Sequence, residues 1–64
     1  MSVQRAIRFL ANKVAVHQVR REWEHADRLE KHLQKISAVE DEATRETAIV
    51  VLAMHEGFTP EATA

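Results

Sequence analysis

The sequence predicts an all-α protein, and three observations carry that reading. From Val3 to Ile36 there is no Gly or Pro, and Ala, Leu, Arg, Lys, Glu and Gln dominate, all residues with high helix propensity. Ser37-Ala38-Val39-Glu40 has the pattern of a helix-opening capping box. The single glycine, Gly57, stands directly after an apolar run, where a helix C-cap is expected. The predicted architecture is a long helical hairpin, with one helix over about residues 3–36 and a second over about 38–56, assembling as a homodimeric helical bundle. The alternative is a three-helix bundle with a break near residues 12–17.

The first segment carries two apolar seams. Val3, Ile7, Leu10 and Val14 form one; Val19, Trp23, Ala26, Leu29, Leu33 and Ile36 form the other. At 100° per residue the two differ by roughly 150°. A continuous helix of this length, about 50 Å at 1.5 Å per residue, packs against different neighbours at its two ends. With no Gly or Pro in the segment, continuity is the preferred reading, and a reversal near Asn12 to His17 is the alternative.

In the second segment, Ser37 and Glu40 cap the start and the acids Glu40, Asp41 and Glu42 favour the positive end of the helix dipole. Asp41 is an alternative cap. Val39, Ala43, Thr47, Val50 and Met54 are expected to face inward. The run from Ala48 to Met54 is apolar on every side, and a helix segment of that kind is buried all round. A two-helix hairpin covers only one face of each helix, so this run argues for a partner. Gly57 closes the helix with Phe58 folding back on Ala53. Residues 57–64 form a short tail, in which Thr59-Pro60-Glu61 resembles a helix opening with too few residues after it to form one.

The chain has 64 residues, enough for one domain spanning 1–64, and a domain of this size is marginal unless something staples it. It has no cysteine, which removes disulfides and thiolate metal sites and suits a reducing, cytoplasmic setting. Self-association is the staple that remains. Charges interrupt the apolar residues of Met1 to Arg8, so no export signal is expected, and no apolar run approaches the roughly 20 residues of a membrane span. The formal net charge of −1 conceals an asymmetry. Residues 1–36 hold eight Lys and Arg against four Asp and Glu, whereas residues 37–64 hold one against six. Halves of about +4 and −5 can attract one another within the fold or between subunits.

No residue pattern specifies catalysis, and the protein is expected not to be an enzyme. There is no glycine-rich phosphate loop and no local nucleophile signature. Four histidines, His17, His25, His32 and His55, show no metal-ligand spacing; His25 and His32 lie about 10 Å apart along a helix. No metal or cofactor is expected. The surplus apolar surface instead predicts a non-enzymatic interaction module, an adaptor, inhibitor or regulator, acting as a homodimer and contacting another protein. Its interface is expected at Val3, Ile7, Leu10 and Val14 together with Ile49, Val51 and Leu52.

Trp23 lies on the apolar stripe and is expected in the core. Phe9 lies off the first seam beside Arg5 and Arg8, which makes it a candidate partner contact. The alternative function is RNA or DNA binding through a basic face of the first helix, using Lys13, Arg20, Arg21, Arg28, Lys31 and Lys35. Against it, Glu24 to Arg28 and Asp27 to Lys31 are spaced as stabilising i,i+4 pairs, and the pI near 6.4 lies well below that of a dedicated nucleic-acid domain.

Overall fold

A computed structural model describes residues 3–60, which form three helices: α1 (Val3–Val19), α2 (Trp23–Ser37) and α3 (Glu42–His55). The all-helical class stands, and the described residues include no strand. The long first helix does not form. The chain reverses between Val19 and Trp23, so the arrangement is the three-helix bundle, with the break several residues later than the 12–17 expected for it.

The break is a Schellman motif without glycine. The Arg21 N–H donates to the Gln18 carbonyl at 3.0 Å, and the Glu22 N–H donates to the His17 carbonyl at 2.8 Å, the 5→2 and 6→1 bonds that terminate a helix. The motif needs a left-handed residue between them, and Arg21 supplies it with φ of 61°. An L-residue with a Cβ adopts that conformation at a cost of roughly 1–2 kcal/mol. Such motifs usually add an apolar contact between the residue after the cap and the last turn. Here a polar one replaces it: His17 Nδ1 lies 3.0 Å from Glu22 Oε1. A second tie between the helices runs from Gln18 Nε2 to Glu30 Oε1, also 3.0 Å.

Glu22 ends one helix and begins the next. Its carbonyl accepts from the Ala26 N–H at 3.1 Å, but its side chain, engaged with His17, does not cap α2. Ser37 does not cap a helix either. It is the last residue of α2, and its hydroxyl donates back to the Leu33 carbonyl at 2.8 Å. The alternative cap is the one used: the Asp41 carboxylate accepts from the Thr44 N–H at 2.9 Å and from the Thr44 hydroxyl. Arg45 reaches back to donate to the Val39 carbonyl at 2.9 Å, which fastens the connecting loop to α3.

The C-terminal cap forms as expected. Gly57 has φ of 106°, its N–H donates to Met54 at 3.1 Å, and the Phe58 N–H donates to Ala53 at 2.9 Å. Phe58 thereby packs on the core. Residues 61–64 of the expected tail lie outside the described residues.

Both α2 and α3 pack more extensively on α1 than on each other. The core is Ala6 and Leu10 from α1, Leu29 and Ile36 from α2, and Val50, Leu52 and Ala53 from α3. Val3, Phe9, Val14, Leu33, Ala48, Ile49 and Phe58 pack around it. Ala6 and Ala53 are wholly buried, and such small side chains let α1 and α3 approach closely. Val19 and Trp23 drop out of their expected seam because the break separates them. Trp23, at the first position of α2, is 59% exposed.

The two Schellman motifs make opposite predictions. Arg21→Gly removes the left-handed penalty and should stabilise the protein by about 0.5–1 kcal/mol after allowing for glycine's greater freedom in the unfolded chain. Gly57→Ala should destabilise it by about 1–2 kcal/mol. The added Cβ meets only Phe9 at 3.9 Å, an ordinary contact, so the penalty is one of backbone conformation. Urea midpoints moving in the same direction for both variants would contradict this account.

Candidate functional site

The reversal at Arg21 decides which apolar residues are left on the surface. Of the seven expected interface residues, Leu10 and Leu52 lie in the core of the single chain, so neither is available to a partner. Val3, Val14 and Ile49 are partly buried against that core. Ile7 remains 46% exposed and Val51 47% exposed. The surplus on α1 has largely been absorbed by the fold, and the surplus on α3 has not.

On α3 the inward stripe differs from the one expected. Val50, Leu52 and Ala53 are buried with Ile49 beside them, whereas Ala43, Thr47 and Met54 are exposed. Charged residues ordinarily take the solvent side of a helix. Here Arg45 and Glu46 are half-buried flanks, and Arg45 is held inward by its bond to Val39. The outer face consequently consists of Ala43, Thr44, Thr47, Val51 and Met54, with half-buried Ala48 at its margin. It contains no ionisable side chain between Glu42 and His55.

Its polar groups are also satisfied internally. The Thr47 hydroxyl donates to the Ala43 carbonyl at 2.9 Å, and that of Thr44 donates to Asp41. The threonines therefore add little polarity to the surface. A shallow depression of about 430 Å³ is lined by Ala43, Thr44, Thr47, Ala48 and Val51, and a second of about 280 Å³ by Val51, Met54 and His55. The face is hollow at its N-terminal end, where side chains are small, and bulky at its C-terminal end. The signal in the sequence was the recurrence of uncharged residues at 44, 47, 51 and 54. The expected stripe of Val39, Ala43, Thr47, Val50 and Met54 placed three of the outer-face residues, Ala43, Thr47 and Met54, on the inside instead.

The expected basic face is divided. Lys13 sits over the Phe9 ring, 5.8 Å from its centroid, within cation–π range. Arg20 and Arg21 lie at the corner, while Arg28, Lys31 and Lys35 are exposed on α2. Neither the Glu24–Arg28 nor the Asp27–Lys31 pair closes into a salt bridge; among the described residues the one contact between a basic and an acidic side chain within 4 Å is the hydrogen-bonded His17–Glu22. Among the described residues, the oppositely charged halves of the chain are thus not joined by ion pairs. Phe9 does not stand alone, since it packs on Phe58 with ring centroids 5.4 Å apart.

A second concentration of titratable groups lies at the α1–α2 corner. The His17 and His25 rings stack at 5.3 Å, and a small cavity of about 80 Å³ is lined by both, by Arg28, His32 and Glu56, and by Leu29 and Leu52. Among the described residues no group of three His, Cys, Asp or Glu side chains is arranged to hold a metal ion. Within the described residues no helix is long and apolar enough to cross a membrane. Compared with known protein families, curated proteins and solved structures, the chain matches none.

Two carboxylates are held below their ordinary pKa. For Glu22 the main cause is its hydrogen bond to His17, and for Asp41 its bonds to Thr44. A group depressed in the folded state contributes stability above its unfolded pKa and loses that contribution as pH falls through the folded value. Stability should therefore decline as pH drops below about 4, the ordinary range of these carboxylates. In Glu22→Gln/Asp41→Asn the protein should start less stable at neutral pH and lose less between about pH 5 and 2.5. Thermal melts across that range test this, and parallel acid limbs in the two proteins would rule it out.

Proposed function

We propose that this protein is a non-enzymatic helical interaction module of the cytoplasm that self-associates through the outer face of α3. The observation that carries the reading is the absence of any ionisable group on the exposed surface formed by Ala43, Thr44, Thr47, Val51 and Met54. A solvated helix face ordinarily carries charge, and one lacking it across about three turns suits a partner helix.

The occupant we assign is a second copy, in antiparallel orientation. An uncharged face does not repel its own copy, and this one is complementary to itself. Antiparallel pairing seats the partner's bulky Val51 and Met54 end over the hollow left by Ala43, Thr47 and Ala48. It also brings exposed Glu42, at the start of α3, and Glu40, in the loop before it, toward the partner's His55. The resulting contact is isologous and closes as a two-fold dimer. A helix of 14 residues is about 21 Å long and offers less than the roughly 800 Å² per partner of a standard interface. Association is accordingly weak, on the micromolar scale or above.

Sedimentation velocity between about 5 and 200 µM should show the mass rising from the 7.3 kDa monomer toward the dimer. Val51→Lys/Met54→Lys should weaken association at least tenfold with helicity unchanged, because both side chains are about half exposed and lysine is a good helix former. A monomer throughout that range, or association indifferent to the double substitution, overturns the reading.

A further inference from the structure

We propose that the groove formed by Arg5, Arg8, Phe9, Asn12 and Phe58 is a docking site for a short acidic peptide segment of another protein, one that carries a single aromatic or large aliphatic side chain. The groove is about 400 Å³ and open to solvent. Its floor is the Phe9–Phe58 pair, tilted at 50° with centroids 5.4 Å apart and both rings half-buried. Arg5 and Arg8 stand exposed, a turn apart, and the Lys13 ammonium lies over the Phe9 ring, 5.8 Å from its centroid.

Charge points to the ligand class. Arg5, Arg8 and Lys13 take part in no ion pair among the described residues. Arg5 and Arg8 occupy the first two turns of α1, the positive end of its dipole, and no acidic residue in the first turn offsets them. Two cations there raise the energy of the isolated helix slightly, and carboxylates arriving from outside relieve it. Guanidinium groups bind carboxylates through paired hydrogen bonds, which a lysine does not reproduce. Asn12 can both donate to and accept from a peptide backbone.

Size limits the ligand to a few residues. From Arg5 to Asn12 is about 10 Å along the helix, the span of about three extended residues. A segment with two acids flanking an apolar residue matches the arginines and the aromatic floor together. A long polyanion suits the surface less well, because the chain as a whole carries net charge −1 and residues beyond Ser37 hold six acids against one base. A second copy is also a poor occupant. Its acidic stretch is fixed by the Asp41–Thr44 cap and by the Arg45 bond to the Val39 carbonyl, and the one large apolar side chain there, Val39, is already half-buried against its own fold.

The test is titration of the full chain with an acetylated, amidated pentapeptide of sequence Asp-Glu-Phe-Glu-Asp, followed by amide chemical shifts. Saturable shifts are expected at Arg5, Arg8, Phe9, Asn12 and Phe58, with affinity falling as salt rises. Replacing the peptide's phenylalanine by alanine, or its acids by amides, should each weaken binding at least tenfold. Arg5→Ala/Arg8→Ala should do the same without loss of helicity, since both side chains are exposed. Arg5→Glu/Arg8→Glu should transfer the preference to a Lys-Lys-Phe-Lys-Lys peptide. Val51→Lys should still bind, because the groove does not use the outer face of α3, so this test and the dimer test fail independently. Absence of saturation at millimolar peptide, equal binding by the double alanine variant, or tighter binding of a uridine pentanucleotide overturns the proposal. Shifts in the groove on raising protein concentration alone would assign it to a second copy and also overturn it.

Discussion

The left-handed turn at Arg21 is the constraint on which the rest of this structure depends. It converts a segment with uninterrupted helix propensity into two helices, and so redistributes every apolar residue between Val3 and Ile36. With the turn in place, Leu10 enters a core shared with Leu29 and Val50 instead of projecting toward another subunit. The conformation is unfavourable for arginine, so surrounding interactions must hold it. They are the two backbone bonds of the Schellman motif, the His17–Glu22 pair and the Gln18–Glu30 bond. Beneath them, the burial of Ala26 and Leu29 rewards the reversal as a whole.

The same rearrangement leaves α3 with an unusual distribution of polarity. Its charged residues flank the core, where Arg45 fastens the preceding loop, and its outer side presents methyl and thioether groups. In a domain of 64 residues the core is small, and burial of that outer face would add to it. The proposed dimer and the proposed peptide groove use different surfaces. One is defined by the absence of charge on the outer face of α3, the other by positive charge on α1, beside the Phe9–Phe58 pair, that meets no acidic partner among the described residues.

Much of the local structure was legible from residue types. Gly57 and Phe58 signalled the final cap, and the acids around Asp41 signalled the start of the last helix. The cap itself was ambiguous between Ser37 and Asp41, because both have the side chain to do it. Tertiary position decided, since α2 runs on through Ser37 to bury Ile36. The outer face of α3 was readable as a set of uncharged positions but was assigned to the inside. The rule that charges face water fails where a guanidinium has a carbonyl to bind near the core. Phe9 and its arginines were visible as a cluster, yet the aromatic partner Phe58 lies 49 positions away in sequence, and no local pattern joins them.

The sequence by itself determined that the chain is helical, where α3 stops, and that its apolar surface runs in seams too far apart for one straight packing face. Those properties follow from propensity, capping chemistry and periodicity, which act over a few residues. Only the tertiary structure decided that the first segment breaks, and that it does so at Arg21. A left-handed arginine carries no local signal, because its penalty is met by hydrogen bonds and by packing between helices that exist only once the chain has folded back on itself.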